Sequence, residues 1–417
     1  MNSSSSLATN TRTCPICGTS EHELILQLPA TPLGDRYSES EAQALSLPRW
    51  PLDVVRCNNC DHCYLPYITQ ANESYLHYLF GTGQSPGLPE AFKEIVADIV
   101  IRHSLNINDL VLDIGANDGS WLECFRANGC DVLAVEPAPA ASTKAKAKGI
   151  SVIQDYFSEQ SVRASGLLTH TPRIVSMNYV FANIPDPMVT LQEIAAISNE
   201  NTIISVLTGY HPAQLAVGMF DYVYHEHISY YTCKDFAQMA NSIGFIVTYA
   251  REIPLKGGSI HIEMQQAADG IKQSILFGTM LKREKWIDQP LNVQWHQIGI
   301  QIRDVSDQIK QAISSARSHG LSIIGYGASH STTTLVYALG IESMIDLVVE
   351  DNPAKFGRFS PGTAVPVVPS DSINSKFPAC VIVLAWQHGP RIKASLKYSG
   401  FKGQVIIPFP TFTIEQL

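Results

Sequence analysis

Twice along this chain a short apolar run ends in a glycine turn and gives way to a helical pattern. The first is Leu110-Val-Leu-Asp-Ile-Gly115 and the second Leu321-Ser-Ile-Ile-Gly325-Tyr-Gly327. A buried strand feeding a glycine loop and then a helix is the building unit of open parallel α/β sheets, which bind ligands at that loop. Further apolar runs alternate with helical patterns around each. Asp131–Glu136, Arg173–Asn178, Thr202–Leu207, Phe245–Tyr249 and Ile260–Met264 accompany the first; Leu347–Asp351, Cys380–Ala385 and Gln404–Pro408 accompany the second. The expectation is one architecture used twice, each parallel sheet covered by helices. A long helix over 292–318, carrying Val293, Ile298, Ile300, Ile302, Val305, Ile309 and Ile313, would join them.

Composition closes off several classes. The 417 residues carry a net charge of −9 with scattered Lys and Arg, which argues against a general nucleic-acid binder. No apolar run approaches the ~18 residues of a spanning helix, and no membrane partner is expected. The polar, serine-rich start lacks the apolar stretch of a secretory signal, so the expected compartment is the cytoplasm.

Five of the nine cysteines fall in the first 63 residues. Cys14-Pro-Ile-Cys17 and Cys57-Asn-Asn-Cys60 are two C-x-x-C knuckles, each able to turn two thiolates toward one ion. Together they supply the four soft ligands of a closed, structural Zn2+ site, with Cys63 as the competing ligand. The plainer alternative is a set of buried or redox thiols.

The loop Asp113-Ile-Gly115-Ala-Asn117-Asp118-Gly119 opens a helix near Trp121 but lacks the full G-x-G-x-x-G spacing of a dinucleotide cradle. Asp113 can accept from an ammonium or a ribose hydroxyl. Glu136, at the tip of the next strand, stands where it can take both hydroxyls of a ribose. These features suit S-adenosylmethionine better than NAD, with Phe157 offering a stacking face to adenine and Asn178 at the end of the third run beside the loop. Gly115 and Gly119 serving only a tight turn is the bland alternative.

Phe220-Asp-Tyr-Val-Tyr224-His225-Glu226-His227-Ile-Ser-Tyr-Tyr231 is the densest titratable stretch. Tyr, Glu and His can form a relay in which a carboxylate orients an imidazole, suited to removing a proton beside a carbonyl. A buried polar network and a second metal site are the alternatives. His227 is expected as base, oriented by Glu226, with Tyr224 on the keto oxygen or relaying the proton and His225 between them. The imidazole and phenol roles can be exchanged.

In order, C-x-x-C, C-x-x-C, D-I-G-A-N-D-G, V-E-P-A, N-x-V-F-A, Y-H-E-H-x-S-Y, G-G-S, G-Y-G-A and D-N-P-x-K-x-G-R-F-x-P-G resemble the nucleotide-sugar C-methyltransferases that act on 4-keto sugars. The resemblance runs from Cys14 to Trp386. It implies a small zinc-binding domain (1–70), a central Rossmann-like class I methyltransferase domain (71–285) and a second Rossmann-like domain holding a nucleotide sugar (286–417). It also implies that the base machinery lies on Tyr224, Glu226 and His227. Substrate contacts are expected from Tyr78 (or Phe80), Asn183, Lys256, Ser259, Tyr326, Asn352 and Arg358. The chain departs from the family pattern at Asn183, Lys256 and Ser329-His330-Ser331, where His, His and Pro-Ala-Lys are usual. Alternatives are a methyltransferase acting on oxygen or nitrogen and a non-catalytic zinc-containing binding subunit. Oligomeric state is left open.

Overall fold

The computed structural model describes residues 12–69, 87–285, 291–373 and 379–417. Near the start, β1 (His22–Thr31) and β2 (Trp50–Cys57) form an antiparallel pair that brings Leu28 opposite Leu52. Leu26, Leu28, Leu52 and Val54 are buried. The short β3 (Cys63–Tyr64) adds to β2.

The middle of the chain builds a seven-stranded sheet. β4 (Leu110–Ile114), β5 (Asp131–Val135), β6 (Ser151–Ile153), β7 (Ile174–Asn178) and β8 (Ile203–Gly209) are parallel, with helices between them. Then β9 (Ser229–Tyr230) leaves this sheet and pairs with β3, completing the first sheet as β1-β2-β3-β9. The chain returns as β10 (Phe245–Ile253) and β11 (Ser259–Gln266). The full order is β10-β11-β8-β7-β4-β5-β6, which places β4 where the strand order reverses, the position at which open α/β sheets form a ligand crevice. β10 and β11 differ from the parallel expectation: they form an antiparallel hairpin, and β11 runs antiparallel to β8. Residues 254–258 are too few to carry a crossover, which needs about a dozen residues.

The third sheet contains β12 (Ser322–Tyr326), β13 (Leu347–Glu350), β14 (Val367–Pro369), β15 (Ala379–Val383), β16 (Gln404–Ile407) and β17 (Thr413–Gln416). Its order is β14-β13-β12-β15-β16-β17, parallel except for β17. The helix Leu291–Ser318 buries Trp295, Ile298, Ile302, Val305, Ile309 and Ile313 at three- and four-residue spacings, one continuous apolar stripe, while Val293 and Ile300 are exposed. That stripe belongs to a single core holding Leu26 and Leu28 of β1, Phe220 and Val223 of the titratable stretch, and Ile323 and Ile382 of the third sheet. The stretch 220–230 therefore sits where the first and third sheets share a core, and Ile228 N–H ties it to the Ala182 carbonyl just past β7. Among the described residues no helix is long and apolar enough to cross a membrane.

Candidate active site and metal centre

The cysteine knuckles close on one point. The sulfurs of Cys14 and Cys60 are 3.5 Å apart, as are those of Cys17 and Cys57, and all four lie within 4.8 Å of one another. A tetrahedral tetrathiolate zinc sets its sulfurs about 3.8 Å apart, from a Zn–S distance of about 2.3 Å. The donor set fits the ion. Backbone N–H groups of Asn59 and Cys60 donate to the Cys57 sulfur, as a metal-bearing knuckle requires. Cys63 is not part of the cluster: it is buried, directs its thiol to the Asp61 carbonyl, and sits on the strand that meets β9.

At the end of β4 the backbone turns through Gly115 at φ +70°, where a Cβ would lie 2.7 Å from Val180 Cγ2. Only glycine lets the loop pass this close to the residues following β7. Asp113 is buried beneath the loop. Its Oδ1 accepts from Ser176 Oγ (2.6 Å) and Asn178 Nδ2 (3.0 Å), and Ser176 Oγ in turn accepts from Trp121 Nε1 (3.0 Å). Burial pushes the Asp113 carboxyl up to about 7, against the pull of these donors. Glu136 accepts the backbone N–H groups of Asn117 and Ala138, each at 2.8 Å, so it braces the loop and keeps lone pairs over for a ligand. Gly119 stands as the left-handed residue before the helix Ser120–Arg126. Asn178 Oδ1 is buried without a hydrogen-bond partner among the described residues, and Phe157 lies half-buried just beyond β6. Two carboxylates, an orphaned amide oxygen and a close backbone approach suit an ammonium-bearing ligand with vicinal hydroxyls, which is the donor chemistry S-adenosylmethionine presents.

The Tyr-His-Glu-His block separates into three environments. Tyr224 Oη lies 2.7 Å from His227 Nε2, and His227 Nδ1 lies 3.1 Å from the Tyr222 carbonyl. A carbonyl only accepts, so Nδ1 carries the proton and Nε2 presents its lone pair to the phenol. Burial first, then the charges of Lys256 and His330, hold His227 down to about 3, and the ring is neutral near pH 7. Glu226 does not orient this imidazole. The turn that donates His227 N–H to the Tyr224 carbonyl sends the carboxyl elsewhere, to within 3.9 Å of His330 Nε2. Among the described residues Glu226 Oε2 is buried without a hydrogen-bond partner, and burial raises its pKa. His225 is tied away from the pair as well, its Nε2 donating to the Trp50 carbonyl of β2 at 3.3 Å.

The segment is pinned from three directions. Trp386 Nε1 and Gln387 Nε2 donate to Asp221 Oδ2 (2.9 and 2.8 Å), and Thr334 Oγ1 donates to the Val223 carbonyl (2.8 Å). Ile228 N–H donates to Ala182, and Leu65 N–H donates to Ile228. The connection between β1 and β2 also meets the elements around the third sheet directly. Asp35 pairs with Lys355 in a buried ion pair, Thr333 Oγ1 donates to the Gly34 carbonyl, and Arg358 Nη1 donates to the Tyr37 carbonyl.

Of the residues expected to face a substrate, Asn183 ends the short helical turn Phe181–Asn183 with its Oδ1 unpartnered, next to the Ala182–Ile228 contact. Ser259 Oγ accepts from Tyr179 Oη (3.0 Å), and Lys256 Nζ lies 3.9 Å from the centre of the Tyr179 ring. Tyr326 ends β12, and Asn352 and Arg358 follow β13: Tyr326 Oη donates to Asp351, Asn352 Oδ1 accepts from Ala354 N–H, and Arg358 Nε donates to the Ala354 carbonyl. Tyr78 and its alternate Phe80 lie outside the described residues. Residue reading missed Tyr179 and the Tyr222 carbonyl. The first could have been found from its place directly after Asn178; the second is a main-chain role that no side-chain motif records.

Three family models match the chain. Residues 14–75 match one described as "Putative zinc binding domain", 67–250 a methyltransferase domain, and 254–410 a C-methyltransferase C-terminal domain. Among characterised proteins, the chain is similar to the C-methyltransferase NovU of Streptomyces niveus, 25% identical over 399 residues and 95% of each chain. Among solved structures, it is similar to the magnesium protoporphyrin IX methyltransferase of Synechocystis PCC 6803 with bound SAM, at 13% identity and a TM-score of 0.35, over 48% of this chain and 92% of that one.

Proposed function

We propose that this chain, which matches a zinc-binding domain, a methyltransferase domain and a C-methyltransferase C-terminal domain in turn, is an S-adenosylmethionine-dependent C-methyltransferase of a nucleotide-linked keto sugar, with the methyl delivered to the carbon next to the carbonyl. The observation that carries this reading is the Tyr224–His227 pair, in which a neutral imidazole, fixed by the Tyr222 carbonyl, keeps the Nε2 lone pair available for a proton.

When bound, S-adenosylmethionine supplies a sulfonium methyl that is electrophilic because neutral sulfur leaves. This chain's residues hold that group and make a carbon nucleophile. Asp113, Asn117, Glu136 and Asn178 hold the cofactor, and Phe157 stands at its adenine end. His227 Nε2 accepts the proton from the carbon, and the C–H electron pair becomes the double bond of an enolate. Tyr224 Oη, displaced from Nε2 in that step, donates to a neighbouring sugar oxygen or passes the proton on. Glu226 Oε2 accepts from a hydroxyl or amino group of the sugar, which is what a buried carboxyl oxygen without a partner can recognise. Asn183 and Ser259 line the same side, and Tyr326, Asn352 and Arg358 hold the nucleotide. Zn2+ stays structural, since four thiolates leave no open position. Alignment, more than chemistry on the donor, is what the protein contributes.

The test is incubation with a panel of thymidine- and uridine-diphosphate 4-keto-6-deoxyhexoses and methyl-13C cofactor, with the product read by carbon–proton correlation NMR. The expected outcome is a new methyl on carbon. A methyl on oxygen or nitrogen would replace this reading with a heteroatom methyltransferase.

A further inference from the structure

Lys256 is half-buried in the turn between β10 and β11, at a left-handed φ of +50° that a side-chain-bearing residue rarely adopts. The turn is held there. Gly257 and Gly258 pack so closely on Met219 and Ala213 that neither could carry a side chain, and Gln214 Nε2 donates to the Lys256 carbonyl. The ammonium rests on the face of Tyr179, itself at φ +55°, which directly follows the cofactor-side Asn178. On the other side, the Lys256 charge acts on His227. Two strained residues thus meet between the cofactor loop and the base. Such strain persists where the surroundings fix it and where a function uses it.

We infer that Lys256 is a further catalytic residue of this site: its ammonium donates a hydrogen bond to the keto oxygen and stabilises the negative charge that collects there as His227 removes the proton. This rests on the reading above, that the substrate is a carbon acid beside a carbonyl. The balance is simple. The C–H pair becomes the C=C bond, the carbonyl π pair moves to oxygen, the proton passes to Nε2, and the ammonium keeps its own protons. An imidazole held as low as His227 is a weak base, so much of the acidification must come from the oxygen side. An ammonium seated 3.9 Å over an aromatic face supplies it at a fixed position.

The experiment follows deuterium entering the keto-sugar panel in deuterium oxide with no methyl donor present, so the readout is independent of methyl transfer. Wild type should exchange the hydrogen next to the carbonyl. K256M should slow exchange by about 10²–10³-fold, the loss on removing one oxyanion donor. K256R should keep it within about tenfold of wild type, because a cation remains. Cofactor and sugar dissociation constants of both variants, by calorimetry, should stay within about threefold of wild type, which also shows that they are folded. K256M exchanging at the wild-type rate overturns the inference alone. A wild-type enzyme that exchanges no sugar of the panel overturns the carbon-acid reading, and this inference with it.

Discussion

Removing zinc should silence methyl transfer while leaving cofactor binding nearly intact. The metal draws the Cys14–Cys17 turn onto the end of β2 and the start of β3. β3 then pairs with β9, Cys63 opposite Tyr230 and Tyr64 opposite Ser229, and Leu65 N–H holds the Ile228 carbonyl, one residue past His227. A structural tetrathiolate site contributes about 10–16 kcal/mol, as much as the whole stability of an ordinary domain. A two-residue ladder has nothing comparable to replace it. β1 and β2 have another anchor: Leu26, Leu28, Leu52 and Val54 pack into the core shared with the helix Leu291–Ser318, at about 1.5–3 kcal/mol for each buried side chain. Stripping should therefore release β3 and β9, and with them the imidazole, without detaching the sheet. The cofactor loop stands on β4, β5 and β7, whose strand pairing is their own and includes neither β3 nor β9. Chelation with metal content followed by elemental analysis, S-adenosylmethionine affinity by calorimetry and turnover by product NMR gives three numbers. The expectation is loss of metal, affinity within about threefold, and turnover down at least about 100-fold, the scale on which misplacement of about 1 Å acts. A metal-free protein that methylates at the holo rate would refute the reasoning.

Other perturbations probe single links. H227N should cut methyl transfer by about 10²–10⁴-fold with cofactor affinity unchanged, and a variant that turns over normally would remove His227 from the base role. Lys355→Met should destabilise by about 3–5 kcal/mol in urea melts, because it strands the buried Asp35 carboxylate, and D35L/K355M should recover most of that loss; a double variant no better than the single would show that the ion pair is not the cause. The ordinary carboxyl pKa is near 4 and the Asp113 value in the folded chain is about 7. Above that value the folded state carries a buried charge, so this group's contribution to stability falls as pH rises from about 4 to 7. Cofactor binding runs the other way, since only the ionised carboxyl accepts from an ammonium. Affinity should fall by up to about tenfold per unit below pH 7, and D113N should bind weakly with that dependence gone; a wild-type affinity flat from pH 5 to 8 would contradict it.

Most of the architecture was legible because period and punctuation agreed. The run Leu110–Ile114 is apolar throughout, ends in a glycine and folds as a fully buried parallel strand. The four zinc ligands were legible for a similar reason, since knuckle spacing is local. What the linear order could not convey is side-chain direction over a tight turn. Tyr224 through His227 reads as one relay, yet the turn places Tyr224 on His227, sends Glu226 toward His330 and ties His225 to β2. Nor could it show that Ser229 and Tyr230, deep within the central region, complete the first sheet, because a two-residue strand has no period to detect.

The acid after the second strand of each α/β unit makes the same point in a sharper form. Glu136 was expected on ligand grounds, as a partner for ribose hydroxyls. In the structure it accepts the N–H of Asn117 in the preceding loop and that of Ala138 two residues on. Glu350 in the third sheet accepts from Ala328 in its own glycine loop and from Asn352 two residues on, at 2.6 and 2.9 Å. Gly115 N–H and Gly327 N–H donate to Val135 and Val349, each at 2.8 Å. Two units of different sequence thus close their glycine turns by one device. Left open, those turns would leave buried backbone donors unpaired, at about 1–3 kcal/mol each. A carboxylate at this position is therefore required by the turn itself, whatever ligand the crevice holds. Ligand identity must be argued from groups the turn does not use, and in the central sheet those are Asp113 and the unpartnered oxygen of Asn178.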